Sequence, residues 1–499
     1  MTPDPDRWPT PEPAVPAPAA PETAAPETSR PAAPWPSARP RLGGRARTAL
    51  AVGRAAAAAS RALGRGAGEV IGGRTALLLA PDLLGRLGRD RVLAMVSATN
   101  GKTTTTRMLA AALATRAPLA RTGAGANMPT GHVAVLASRP LTRPAVLEVD
   151  ELYLPQSVRV LRPRLVVLLN LSRDQLDRTG ETRKVARGWR RILAESGPNA
   201  PLVVANADDP LVVWSAGGAA RVIWVGVGQP WHDDARSCPA CDRLIEFADD
   251  VSVRADGAQA IAAGESRPDG WRCTGCALRR PQTAVVLERG RLVHDGQSRD
   301  LRLALPGRAN QRNAVMAAVA ACALGVGYDE SLPALARIGA VEGRYAVHRL
   351  PGARPSGGRV PSYRLLLGKN PASWAEAFEM LAGATRPLVL VLNARDADGH
   401  DTSWLWDVPY ERLAARPPGA GPIVVSGERA ADLSVRLAYA GVPHRTVPVA
   451  AAAIAAATAD ADPVPDSTGQ RADVDVVANY TAFRGLDTTR GRRRTGAHW

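Results

Sequence analysis

The residues Ala98-Thr99-Asn100-Gly101-Lys102-Thr103-Thr104 have the types and spacing to bind and move a phosphoryl group. Before them, residues 92–96 form an apolar run that reads as a buried strand; after them, residues 104–113 read as a helix. Strand, glycine turn and helix, in that order, make a phosphate-binding loop. Backbone N–H groups and the positive dipole end of the helix would hold a polyphosphate. Lys102 would reach the terminal phosphates and the Thr103 hydroxyl would ligate Mg²⁺. The strict pattern asks for glycine where Val96 stands, and an incidental Gly-Lys-Thr turn is the bland alternative. Of 63 basic residues only Lys102, Lys184 and Lys369 are lysines. A chain that otherwise uses arginine keeps lysine where a compact point charge is needed rather than a planar fork.

Further carboxylates and thiols lie downstream. Residues 144–151 read as a strand ending in Glu148, Asp150 and Glu151, where Mg²⁺ and reacting phosphate are usually managed beside such a loop. Cys238-Pro-Ala-Cys241 and Cys273-Thr-Gly-Cys276 give four thiols in two CxxC pairs, the spacing of a ribbon-type structural zinc site with no open position for a substrate. Cys322 reads as a core thiol in an Ala-rich helix. A polar loop from Asn393 to Asp407 holds Asp396, Asp398, Asp401 and Asp407 and closes on Trp404 and Trp406; a solvated acidic loop is its plainer reading.

The elements that must position these groups alternate. Apolar strand-like runs at 164–170 and 202–206 each end in polar loops, Asn170 to Arg178 and Asn206 to Pro210. This rhythm predicts an α/β protein with a doubly wound parallel sheet and its site at the strands' C-terminal ends. A second, smaller α/β unit is expected from residue 351 to 499, with strands at 387–392, 422–426 and 473–480. The expected domains are therefore 1–45, 46–350 with a zinc ribbon inserted at about 230–282, and 351–499. Residues 1–45, dominated at first by Pro, Ala, Glu and Thr, are expected to be disordered. Residues 45–66 read as an Ala/Arg helix, either packed on the core or lying on a membrane.

The net charge is +16. It is scattered, and aromatics make up 4% of residues, which argues against nucleic acid as a partner. A chain without a long apolar run or secretory signal is expected to be cytoplasmic. Cysteines in CxxC pairs suit a reducing compartment.

Together these motifs resemble the Mur ligases over roughly residues 46–499. The resemblance rests on the 98–104 loop, the Asn127/Gly131 loop, Glu148 to Glu151, Asn206 to Pro210, Gly307 to Asn313 and Gly343-Arg344. Within the family the chain is similar to the ligase subunits of lipid II isoglutaminyl synthases. Gln175 stands where other Mur ligases carry a metal-binding histidine, the Cys₄ ribbon interrupts the central domain, and the 398–407 loop follows.

The resemblance implies a Mur-ligase central ATPase domain and the following chemistry. ATP phosphorylates the α-carboxyl of D-glutamate in the lipid II stem peptide, and ammonia displaces phosphate to leave D-isoglutamine. A GatD-type glutamine amidotransferase subunit supplies the ammonia, at the inner face of the cytoplasmic membrane. It further implies ATP contacts from Thr99, Asn100, Gly101, Lys102, Thr103, Thr104, Asn310, Asn313 and Arg344. Mg²⁺ would be held by Thr103 with Glu148 or Glu151, and zinc by Cys238, Cys241, Cys273 and Cys276. A carboxylate lent to the partner's histidine would be Asp401, with Asp398 and Asp407 as alternatives. Two departures stand out: Ala98 replaces a common glycine, and the segment of the family's carbamylated lysine offers only Lys184, with Trp189 near the expected position. A folylpolyglutamate synthase-like ligase is the alternative within the fold; a zinc-ribbon nucleic-acid-binding ATPase is the alternative outside it.

Overall fold

The computed structural model describes residues 22–24, 42–63, 68–123, 125–139, 142–174, 182–197, 200–248, 270–339, 345–349, 362–417, 419–459, 464–465 and 471–487. Two helices, α1 (Gly44–Ala62) and α2 (Glu69–Leu79), form a hairpin, followed by α3 (Leu83–Gly88). Then β2 (Val92–Ser97), β3 (Ala120–Arg121), β4 (Pro144–Glu148), β5 (Leu165–Leu168), β6 (Leu202–Asn206) and β7 (Arg221–Gly226) assemble in the order β7-β6-β5-β2-β4-β3, all parallel. Helices α4 (Lys102–Leu113), α5 (Pro129–Ser138), α6 (Leu154–Leu161), α7 (Thr182–Glu195) and α8 (Pro210–Ala216) connect them. The strands are buried on both faces, which explains why they read as continuous Val/Leu runs rather than as alternating ones.

A short hairpin, β8 (Ile245–Phe247) and β9 (Trp271–Cys273), carries the paired cysteines. Past it, β10 (Val285–Glu288), β11 (Arg291–His294) and β12 (Gln297–Asp300) extend the sheet beyond β7, parallel at β10 and antiparallel thereafter. Helices α9 (Arg308–Ala323) and α10 (Tyr328–Ala336) follow.

The second sheet takes β13 (Tyr345–Arg349), β14 (Ser362–Leu367), β15 (Leu388–Val391), β16 (Ile423–Ser426) and β17 (Arg445–Thr446). A small pair, β18 (Val464–Pro465) and β19 (Arg471–Ala472), precedes its remaining strand, β20 (Val474–Ala478), and the order is β13-β14-β20-β15-β16-β17. Its helices are α11 (Pro371–Leu381), α12 (Ala430–Tyr439), α13 (Ala450–Ala459) and α14 (Tyr480–Leu486).

One hydrophobic core runs through both sheets. Helix α9 is its hinge piece: residues 314–322 are all buried, and their small side chains let α9 lie close against α4 while Trp374 and Phe378 of α11 join the same cluster. Buried Arg312 of α9 pairs with Glu379 of α11 at 3.1 Å, a cross-tie between the two units.

The expectation of disorder for residues 1–45 meets an exception. Glu22 and Thr23 form β1, parallel to β7, with Glu22 N–H donating to Ala220 O at 3.1 Å and Ala24 N–H to Val222 O at 2.9 Å. Composition misses this because the pairing uses backbone groups beside β7 rather than side chains. Residues 42–45 are described as well, Gly44 and Arg45 opening α1; the rest of that call, at 1–21 and 25–41, lies outside the described residues.

Candidate active site

The phosphate loop closes where β2 hands over to α4. Gly101 sits at φ 86° as the residue before α4, a left-handed conformation that favours glycine. A Cβ there would also fall 2.5 Å from Asn313 Oδ1 of α9. Glycine therefore does two things: it turns the chain into the helix and lets α9 approach.

Lys102 is buried. Its ammonium donates to Ala98 O, to Thr99 O at 3.3 Å and to Glu151 Oε2 at 2.8 Å. Burial by itself pushes its pKa down, but Glu151 at contact, with Asp174 and Glu148 behind, outweighs burial, and the net displacement is upward. The group is a fixed cation. Thr103 donates its hydroxyl to Glu148 Oε1 at 3.1 Å. The two glutamates that sequence could not separate thus divide: Glu148 faces the loop threonine, and Glu151 faces the lysine. Asp150, between them, has its carboxyl raised by burial first and by Glu151 second.

The strand end is braced from behind. Thr122, in the glycine-rich loop, accepts from Glu148 N–H at 2.8 Å. His132 of α5 lies 2.8 Å from Glu148 O, and burial lowers its pKa to about 4, so the ring is neutral and donates through Nε2. Trp189 of α7 donates to Glu151 O at 2.9 Å. The indole therefore supports the acidic strand end from the position where the resemblance leads one to look for a modified lysine. Lys184, on the same helix, is exposed. Sequence reasoning passed over His132; a lone histidine in an apolar helix gives no signal of what its ring faces.

The second unit reaches into this site. Asn370 caps α11 by accepting from Ser373 N–H at 2.9 Å. Its amide also pairs with that of Asn100, at 3.2 and 3.3 Å. Asn100 in turn accepts from Asn170 Nδ2 and donates to Asn170 Oδ1. Lys369 forms an ion pair with Asp174. Burial opposes ionisation of Asp174, but Lys369 and then Lys102 overcome it and hold its pKa down. A charged, hydrogen-bonded seam thus joins the phosphate loop, the Asn170 loop and the start of α11.

Beside that seam two clefts share Asn100, Gly101, Ala309, Asn313 and Glu376. Asn310 lines one of them and donates to Pro306 O at 2.6 Å. The other is lined by Asn206, Gln229 and Arg312, and two buried nitrogens of Arg312, Nε and Nη1, have no protein acceptor. Arg312 is a cleft residue that sequence reading missed, because an arginine between Gln311 and Asn313 at the start of an Ala-rich helix carries no local sign of burial. Arg344 and Gln175 lie outside the described residues.

The Asn206 loop is held from the ribbon side. Asp209 caps α8, accepting from Leu211 and Val212 N–H, and its other oxygen accepts from Leu171 N–H and Gln229; burial pushes its carboxyl up to about 7 against those donors. Trp271 in β9 donates to Ala207 O at 3.0 Å, and Arg280 pairs with Asp208 at 2.7 Å. The four thiols of Cys238, Cys241, Cys273 and Cys276 lie within 4.8 Å of one another, with Sγ–Sγ separations of 3.7 and 3.4 Å for two pairs. Four sulfurs about 2.3 Å from a tetrahedral zinc would be about 3.8 Å apart, so the donor set and spacing fit that ion.

The three carboxylates of the 398–407 loop have different surroundings. Asp398 is buried and accepts from Thr481 N–H at 2.8 Å, from the Thr481 hydroxyl and from Arg395 N–H, which fastens the loop to α14. Asp407 pairs with Arg173, itself bound to Asp234. Asp401 is exposed and accepts from Ser403 N–H at 2.8 Å, a bond that lowers its pKa. Nearby, Trp406 packs edge-on against Tyr439, centroids 5.3 Å apart, and both are exposed, as is Val435.

Comparisons with known proteins agree with this arrangement. The Mur ligase middle domain family matches residues 96–240, and the MurT ligase C-terminal family matches residues 367–483. The chain belongs to the Mur ligases, in their MurT branch. A Staphylococcus aureus (strain COL) relative, the MurT subunit of a glutamine-hydrolysing lipid II isoglutaminyl synthase, is 27% identical over 79% of this chain and 88% of its own length. A Streptococcus pneumoniae MurT subunit is 28% identical over 77% of this chain and 84% of its own. Among solved structures, a pseudomurein peptide ligase type C from Methanothermus fervidus shares the fold, with TM-score 0.57 and 18% identity over 81% of this chain and 79% of that one. The protein is an ATP-dependent Mur-type ligase.

Proposed function

We propose that this ligase amidates the α-carboxyl of D-glutamate in the lipid II stem peptide, with ammonia delivered by a GatD-type glutaminase subunit. The observation that carries the reading is the pairing of two features. One is a phosphate loop whose Lys102 and Thr103 each face a glutamate; the other is a MurT-type C-terminal unit that presents Asp401 outward. The similarity to MurT subunits over most of the chain supports it.

A carboxylate is a poor electrophile, and transfer of the ATP γ-phosphoryl group turns it into an acyl phosphate that ammonia attacks with loss of phosphate. Loop N–H groups of residues 99–104 and the α4 dipole bind the phosphates, and Lys102 offsets charge on the phosphoryl group in flight. Asn310 and Asn313 contact the nucleotide from the shared clefts. Thr103 and Glu148 would hold Mg²⁺, which would supply positive charge to the phosphates there. The Asn100–Asn370 and Lys369–Asp174 contacts bring the second unit over the loop and exclude water. In the ribbon the four cysteines would hold a structural zinc, and Trp271 and Arg280 fasten the ribbon to the Asn206–Asp209 loop.

Of the three loop carboxylates, Asp398 and Asp407 are tied to Thr481 and Arg173 of other elements, whereas Asp401 is exposed and bonded within its own turn to Ser403, so Asp401 is the one we assign to orient the glutaminase histidine, in the manner of a triad carboxylate. Exposed Trp406, Tyr439 and Val435 beside it provide the apolar surface for that partner. The enzyme works at the inner face of the cytoplasmic membrane.

The test is mass spectrometry of lipid II after incubation with the protein, Mg-ATP and either ammonium chloride or glutamine plus the glutaminase subunit. Conversion of one carboxyl to an amide in both arms is expected. Asp401→Asn should abolish the glutamine arm and leave the ammonium arm intact. ATP turnover only with an amino acid as acceptor would instead identify a folylpolyglutamate synthase-like ligase.

A further inference from the structure

The α1–α2 hairpin is used by nothing above, and its surface is inverted. The two helices cross at glycine: a Cβ on Gly53 would lie 2.6 Å from Gly72 O, and one on Gly72 would lie 2.7 Å from Gly53 O. Behind α2, a Cβ on Gly73 would strike Thr130 O of α5. Small residues thus face inward and, apart from buried Leu50 and half-buried Leu77, the larger apolar ones are left outside. Val52, Leu63, Val70, Ile71, Leu78 and Leu79 are all exposed, Leu78 at 75% and Leu63 at 70%. Among the described residues, no other segment of similar length collects so many.

Charge on the hairpin is predominantly basic. The two helices carry Arg45, Arg47, Arg54, Arg61 and Arg74 against the single acid Glu69. Between α1, α2 and α5 lies an open cavity of about 440 Å³ whose lining includes Arg54 and Arg121 and, among the described residues, no carboxylate. Burial, and then Arg107, lower the pKa of Arg121, so cations gather on this side of the hairpin. Gly123 also lines it, one residue from the Thr122 that braces Glu148. The cavity and the phosphate loop are therefore two sides of the same glycine-rich loop. No described helix is long and apolar enough to cross a membrane.

We propose that the α1–α2 hairpin seats this enzyme on an anionic lipid surface, with the outward side chains of α2 among the headgroups and a lipid phosphate in the arginine-lined cavity. Exposed apolar side chains ringed by arginine fit the boundary layer of a bilayer, where apolar area is buried and basic groups meet lipid phosphates. A second copy of the chain would bring arginine against arginine, and an apolar protein groove would offer no anion to the basic hairpin. The inference rests on the lipid-linked substrate proposed above and adds where the membrane lies: on the α5 side of the glycine-rich loop, with the stem peptide reaching Lys102 from there.

The experiment is co-sedimentation of the full chain with vesicles that contain no lipid II. Phosphatidylglycerol–phosphatidylcholine vesicles should retain the protein, and phosphatidylcholine alone should retain about tenfold less. Ile71→Glu with Leu78→Glu should lower retention on anionic vesicles about tenfold or more. Arg54→Ala with Arg61→Ala should lower it on anionic vesicles alone. Retention indifferent to lipid charge, or an apolar double variant that binds like the parent, would overturn the proposal. If the glutamate variant melts early, Ile71→Ser with Leu78→Ser supplies the same comparison. Amidation of detergent-solubilised lipid II, with no vesicle present, separates the two readings. Its absence in the parent would remove the amidation reaction and leave the vesicle result standing. Parent-level turnover in the double variant, together with lost vesicle binding, is the outcome expected.

Discussion

Replacing Lys102 with methionine keeps the length of the side chain and removes its charge. In the parent, Lys102 Nζ is 2.8 Å from Glu151 Oε2, and the two side chains are 5% and 9% exposed. At an effective dielectric constant of about 20 that separation corresponds to a gross attraction of ~6 kcal/mol, before desolvation of both groups is subtracted. Breaking a buried pair from one side costs about 3–5 kcal/mol, a large share of the ~5–15 kcal/mol that typically holds a domain folded.

The cost should depend on pH. In the parent the lysine pKa is raised, so its contribution is present below its unfolded value of about 10.5 and is lost only above that. The variant lacks that contribution, so the gap between parent and variant should hold steady from about pH 5 to about pH 9 and narrow only as pH rises above about 10.5. Urea unfolding of both proteins across that range measures it. The same variant should lose about 10²–10³ in turnover with Mg-ATP, because charge on the transferred phosphoryl group is no longer offset. A variant as stable as the parent across that range would show that Lys102 and Glu151 are not a stabilising buried pair. Parent-level turnover would show that the loop does not handle phosphate.

Cys273→Ser should lower the melting temperature and release zinc to a chelator without altering which substrate is used, since the ribbon's role is to hold the Asn206 loop; full stability in the zinc-free protein would refute this. Asp398→Asn should cost about 1–3 kcal/mol in denaturant unfolding, because the Thr481 hydroxyl and N–H lose an ionic acceptor. Arg312→Met breaks the tie to Glu379 and removes two cleft-facing donors, so it should raise the KM for ATP about tenfold; an unchanged KM would confine Arg312 to a packing role.

The sequence by itself determined the parallel sheet and the phosphate loop. Each parallel strand is a local apolar run ended by polar residues, and Asn100-Gly101-Lys102-Thr103 needs only the strand before it and the helix after it. The four cysteines were legible for the same reason: CxxC spacing is set within one turn, and thiols have few other uses in such pairs. What tertiary structure alone decided are the choices between chemically equal residues. Glu148 and Glu151 are three apart on one segment, and only the fold puts the first against Thr103 and the second against Lys102. Asp398, Asp401 and Asp407 share one loop, and their difference lies in Thr481 and Arg173, 83 and 234 residues away in the chain. His132, Trp189 and Arg312 were invisible as site residues, because each acts through a backbone group or ion pair supplied by another element. Pairings over such separations are set by packing of whole layers, which no local pattern encodes.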